Sequence, residues 1–133
     1  MRKLFWSRRM ISIIDDDASV RAATYRLVCS LGYIAATFAS AGEFLRSPQL
    51  DHTSCVIADI QMPGMSGIEL QNLLQTQGRK LPMIFITAFP EERVRAQALK
   101  SGAACVLSKP FNARTLIEYL DAVMKSHRGR SGK

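Results

Sequence analysis

The chain has no apolar run approaching the roughly 18 residues that a membrane-spanning helix requires. Its basic start, MRKLFWSRRM, offers only Leu4-Phe5-Trp6 as an apolar stretch, well short of the about 7–15 apolar residues of a secretory signal core. We therefore expect a cytoplasmic protein with no membrane partner. Histidine is scarce: His52 and His127 each lie in a polar stretch and read as solvated surface residues. Cysteine is limited to Cys29, Cys55 and Cys105, far apart and in apolar surroundings. That spacing gives no zinc site, and three reduced, buried thiols are expected instead. Internal repeats and interdomain linkers are missing as well. A length of 133 residues with 47% hydrophobic content suits one folded domain rather than a disordered chain.

A basic platform for nucleic acid is also lacking, although the net charge is +7. Arg2, Lys3, Arg8 and Arg9 lie in residues 1–9, and Lys125, Arg128, Arg130 and Lys133 lie in 125–133. The body, 10–124, carries ten basic against eleven acidic residues. The positive charge therefore belongs to a basic N-terminal extension, 1–9, and a basic C-terminal tail, 125–133, both of which read as flexible.

What the chain does have is alternation. MISII (10–14), CVIA (55–58), MIFI (83–86) and ACVL (104–107) are apolar on both faces, as buried parallel strands are. YIAATF (33–38) is less uniform and suits an edge strand. Residues 18–31 place Val20, Ala23, Leu27, Val28 and Leu31 on one helical stripe, closed by Gly32. Ser40 with Glu43, and Ser66 with Glu69, have capping-box spacing, and Leu70, Leu73 and Leu74 follow as a buried stripe. Pro90 suits the first turn of a helix ending near Ser101-Gly102. Asn112 can cap a last helix with Ala113, Leu116, Ile117, Leu120, Val123 and Met124 inward. Five β-α units with right-handed crossovers give an α/β fold, a doubly wound five-stranded parallel sheet.

Sites in such sheets form at the carboxyl ends of the strands, where the strand order reverses. Here the first strand ends in Asp15-Asp16-Asp17, the third in Asp59 and the fourth in Thr87, while Ser108-Lys109-Pro110 follows the fifth. For the order 2-1-3-4-5, these groups converge on one edge. Like charges at a strand end repel unless a cation relieves them. All-oxygen ligation with room for water suits Mg²⁺. An aspartate beside Mg²⁺, a lysine and a hydroxyl is a plausible phosphoryl acceptor. Asp17 is better explained as the cap of the first helix.

The motifs IIDDDASVR, ADIQMPGMSGIEL, FITAF and LSKPF, in this order and spacing, make residues 10–124 resemble the receiver domain of two-component response regulators. DDDASVR and FASAGEFL bring it nearest to the FixJ-type group. The resemblance implies a flavodoxin-like fold and a phosphorelay role. It marks Asp59 as the phosphoacceptor, Asp16 as a direct Mg²⁺ ligand, Asp15 as acting mainly through water, and the Gln61 backbone carbonyl as a further ligand. Lys109 would contact the phosphoryl group, Thr87 would turn inward to it, and the Lys109-Pro110 bond would be cis. Val106 stands where receivers commonly carry an aromatic switch residue, a departure from the family's pattern at the output step. Phe89 is bulky enough to shield the phosphoryl group.

The implied partners are a sensor histidine kinase or histidine-phosphotransfer protein and a downstream protein, with homodimer formation a further option. DNA enters only if an output domain belongs to a longer chain, of the FixJ type. A rival reading, a Mg²⁺-dependent phosphohydrolase with an aspartate nucleophile, wants a second acid where this chain has Gln61. The expected protein is therefore a signalling domain that catalyses only its own phosphorylation and dephosphorylation.

Overall fold

The structure is a computed structural model that describes residues 9–88 and 91–131, with side chains through Ser126. Five parallel strands, β1 (Met10–Ile14), β2 (Ile34–Phe38), β3 (Thr53–Asp59), β4 (Met83–Thr87) and β5 (Cys105–Ser108), alternate with helices α1 (Ala18–Ser30), α2 (Ala41–Leu45), α3 (Gly67–Thr76), α4 (Glu92–Lys100) and α5 (Ala113–Ser131). The strand order is β2-β1-β3-β4-β5, with β2 at an edge as expected. A short 3₁₀ turn, Pro48–His52, precedes β3. Among the described residues, no helix is long and apolar enough to cross a membrane.

The strands bury both faces because their apolar side chains alternate between two cores. Ile11, Ile13, Cys55, Ile57, Ile84, Ile86, Cys105 and Leu107 meet Val28 of α1 and Leu116, Leu120 and Met124 of α5. Ile14, Val56, Ala58, Met83, Phe85 and Val106 meet Ala41 and Phe44 of α2, Ile68, Leu70 and Leu74 of α3, and Ala98 of α4. The one polar inner position of β1, Ser12, is hydrogen-bonded to Thr53 at 2.7 Å, so its burial is compensated.

Local signals act as their chemistry predicts. Asp17 accepts from the backbone N–H groups of Ser19 and Val20 and caps α1. Gly32 closes the same helix at φ +95°, a conformation that favours glycine. Ser66 and Glu69 form a complete capping box at α3. Asn112 accepts from the Arg114 N–H at 2.8 Å at the start of α5. At Ser40 the box is half formed. The Ser40 hydroxyl accepts from the Glu43 N–H, but the Glu43 carboxylate takes the Ala39 N–H instead.

Several expectations are corrected. On α1 the buried positions are Thr24 and Val28, while Ala23 and Leu31 are exposed. Thr24 tolerates burial because its hydroxyl donates to the Val20 carbonyl at 2.8 Å. Cys29 lies on the outer side of α1 and is exposed, whereas Cys55 and Cys105 are buried. Ala113 is also exposed. The boundary expected at 124 falls inside a continuous helix, since α5 runs through Ser131. At the other end Arg9 belongs to the fold, its carbonyl accepting from the Ile34 N–H at 2.9 Å. The rest of the N-terminal extension, Phe89 and Pro90 lie outside the described residues, as does the His127 side chain.

Candidate functional site

The carboxyl ends of β1, β3 and β4 and the loop after β5 meet on one rim. β1 delivers Asp15, whose N–H donates to the Phe38 carbonyl at the end of β2. β3 ends in Asp59. Both side chains are nearly inaccessible, at 4% and 8% exposure. Asp16 is exposed beside them. One carboxylate oxygen from each of Asp15, Asp16 and Asp59 can be chosen so that all three lie within 4.8 Å of one another. Lys109 Nζ reaches in from the loop after β5, 2.9 Å from Asp59 Oδ2 and 3.1 Å from Asp15 Oδ2.

Backbone donors complete the arrangement. The Asp17 N–H donates to Asp15 Oδ1 at 2.9 Å, and the Gln61 N–H to Asp59 Oδ1 at 3.0 Å. The Gln61 side chain is exposed. Thr87 closes β4 at 1% exposure, and its carbonyl accepts the Lys109 N–H at 2.8 Å. The Lys109-Pro110 bond is cis. Gly67 lets α3 start directly against the end of β3: a Cβ there would lie 2.5 Å from the Asp59 carbonyl oxygen and 2.8 Å from the Phe85 ring.

Burial pushes the Asp15 carboxyl up from its usual range, opposed by the Asp17 N–H and by Lys109. For Lys109, burial acts to lower the pKa, but hydrogen bonds and charge from Asp59 and Asp15 outweigh it, and the ammonium is held above its ordinary value. Three carboxylates against one ammonium leave two uncompensated negative charges. Of the three, Asp15 and Asp59 are buried and Asp16 is exposed, and an all-oxygen donor set of this kind fits a hard divalent cation such as Mg²⁺. A separate cavity of about 620 Å³ opens at the other end of the sheet, between Arg79, Leu81, Gly102, Tyr119 and Val123; it has no part in the acidic group.

Residues 11–121 match the response regulator receiver domain family. The chain belongs to that family. Among curated relatives, the receiver is 35% identical over 123 residues to the transcriptional regulatory protein TdiR of Thauera aromatica, covering 92% of this chain and 54% of that protein. Nodulation protein W of Bradyrhizobium diazoefficiens is 34% identical over 124 residues, covering 93% and 55%. The receiver thus spans about half the length of the curated relatives it matches. Among solved structures, the response regulator StyR superposes with a TM-score of 0.85 at 33% identity, covering 95% of this chain and 64% of that one. The structure titled FixJ-N gives 0.77 at 28%, covering 86% and 92%. The receiver fold, the strand order and the two-component signalling class are thereby shown.

Of the positions marked in the sequence, the receiver brings Asp15, Asp16, Asp59 and Lys109 into one group and places Thr87 beside it. Val106 lies deeper, on β5, buried in the core beneath α4. Two arginines went unmarked. Arg21 of α1 donates to the Asp15 carbonyl at 2.6 Å, and Arg95 of α4 donates to the Val106 carbonyl at 2.8 Å. Both bind backbone oxygens, which leave no pattern in side-chain spacing.

Proposed function

We propose that Asp59 is the phosphoacceptor of a two-component phosphorelay. The observation that carries this reading is a nearly inaccessible Asp59 carboxylate held 2.9 Å from Lys109 Nζ, with Asp15 and Asp16 oxygens within 4.8 Å. An Asp59 carboxylate oxygen attacks phosphorus as the bond to the donor breaks. The leaving imidazole nitrogen of a phosphohistidine, or the acyl oxygen of acetyl phosphate, keeps the electron pair. The elevated pKa of Lys109 supports an ammonium that stays charged to meet phosphoryl oxygens. Thr87 donates its hydroxyl to one of them. Asp16 would hold Mg²⁺ directly and Asp15 chiefly through water, with Asp59 and the Gln61 carbonyl as further ligands. Mg²⁺, when bound, supplies positive charge that offsets the transferring group.

The donor in this reading is a sensor histidine kinase or a histidine-phosphotransfer protein, and the setting is cytoplasmic. The domain acts on no separate substrate: Gln61 stands where an aspartate-nucleophile phosphohydrolase needs its second acid. TdiR is a transcriptional regulatory protein, which supports transcription as the output, with DNA contacted through a further domain. The test is intact-mass measurement after incubation with acetyl phosphate and Mg²⁺. Wild type should gain one phosphoryl group and Asp59→Asn should gain none at that site. Equal labelling of the two would remove Asp59 as the acceptor.

A further inference from the structure

A receiver must pass a change at the strand ends to its outer surface, and the Val106 side chain is poorly equipped for this. It is buried at 3% exposure, and it lacks the reach of an aromatic ring that could swing between core and surface. The backbone at the same position is differently placed. Arg95 Nη1 donates to the Val106 carbonyl at 2.8 Å from a half-buried position. A charged donor in such a setting makes a stronger bond than a neutral one.

The helix that bears Arg95 is lightly held. Among the described residues, Ala98 is the one buried side chain of α4, and no side chain caps its N-terminus. Val94 adds partial packing. At the far end, Gln75 Nε2 of α3 donates to the Ser101 carbonyl at 2.7 Å. Segments with few buried apolar contacts are the ones that shift at low cost. For α4, polar bonds therefore count for more than packing.

The other side of the connection leads to the phosphoryl site. β5 is four residues long. Val106 lies opposite Phe85, and Ser108 lies opposite Thr87. The Lys109 N–H is bonded to the Thr87 carbonyl, and Lys109 Nζ to Asp59. A displacement of Lys109 and Thr87 is thus carried along two residues of strand to the carbonyl that Arg95 grips.

We propose that Arg95 is a positioning residue that latches α4 to β5 while Lys109 is paired with the free Asp59 carboxylate, and that the Arg95–Val106 bond, rather than an aromatic side chain, relays phosphorylation to α4. This rests on the receiver reading of Asp59 and Lys109. Phosphorylation draws Lys109 and Thr87 toward the new oxygens, moves the end of β5 and lengthens the Arg95 bond. α4 is then released from the position it holds here. By linkage, whatever weakens the latch favours the phosphorylated arrangement.

The test is the affinity of the full chain for beryllofluoride in the presence of Mg²⁺, with hydrogen exchange read over residues 92–100. Arg95→Met keeps the bulk of the side chain and removes the donor. It should bind beryllofluoride about fivefold more tightly, at the lower end of typical couplings between sites. Its α4 amides should exchange faster before beryllofluoride is added, and the difference from wild type should shrink afterwards. Arg95→Lys keeps one charged donor and should fall between the two; it also decides the matter if the methionine variant does not fold. Unchanged or weaker beryllofluoride affinity in both variants overturns the latch. So does a lower melting temperature with no change in affinity, which would make Arg95 a structural residue only. Failure of the wild type to bind beryllofluoride, or equal binding by Asp59→Asn, would instead overturn the assignment of the phosphoryl site.

Discussion

Replacing Lys109 with methionine should tighten Mg²⁺ binding and slow phosphorylation at once. Lys109 Nζ lies 2.9 Å from an Asp59 oxygen and 3.1 Å from an Asp15 oxygen, inside the group that would hold the cation. An ion about 2.1 Å from such oxygens would sit about 4–5 Å from the ammonium. At about 5 Å, a dication and a unit charge repel by about 1.7 kcal/mol even with the dielectric constant of water. That corresponds to roughly a 15- to 20-fold change in affinity. Methionine removes the repulsion and keeps most of the stem. It also removes one influence that lowers the Asp15 pKa, so a proton would compete with the metal at acid pH. The comparison therefore belongs at mildly alkaline pH, by isothermal titration at fixed ionic strength. Phosphorylation by acetyl phosphate should fall by about 10²-fold, the usual consequence of losing a preorganised donor. Equal or weaker Mg²⁺ affinity in Lys109→Met would refute the charge accounting, and Asp16→Asn should move the affinity in the opposite direction.

Three further outcomes are expected. Gly67→Ala should lower stability to urea by about 1–3 kcal/mol, because the new methyl meets the rigid Asp59 backbone; an unchanged midpoint would show that α3 can retreat freely. Folding raises the pKa of Lys109, so its stabilising contribution is complete below the ordinary value of 10.5 and is lost as pH rises through the folded value. Thermal melting should therefore decline in that alkaline range, with a smaller decline in Lys109→Met. A thiol reagent should label one cysteine per native chain, Cys29, because Cys55 and Cys105 are buried and pushed up to about 12 and about 11; rapid labelling of three would show that the core opens.

Strands were the most legible part of the chain, because a run that is apolar on both faces has few other uses. The acidic rim was legible for a related reason: charged residues directly after such runs mark strand ends, and the topology then brings those ends together. The α1 stripe was misread where a polar residue could be satisfied internally. Thr24 bonds its own helix and so occupies a position that hydropathy would give to Ala23. Cys29 was misplaced because composition around a residue says little about which side of a helix it occupies. The end of α5 was missed because Lys125-Ser126-His127-Arg128 offers no apolar period to follow. Arg21 and Arg95 could not be found from spacing, since their partners are backbone oxygens that every residue carries.

The alternation of side chains across the sheet has a consequence for how this domain can change over time. The core beneath α1 and α5 shares no buried side chain with the core beneath α2, α3 and α4, and substitutions without shared partners tend to act independently. Leu116, Leu120 and Met124 can be exchanged to adjust robustness without disturbing Phe85, Ala98 or Val106. Side-chain exchanges in one core therefore reach the other only through the strand backbones that both share, as at β5, where Cys105 and Leu107 face one core and Val106 the other.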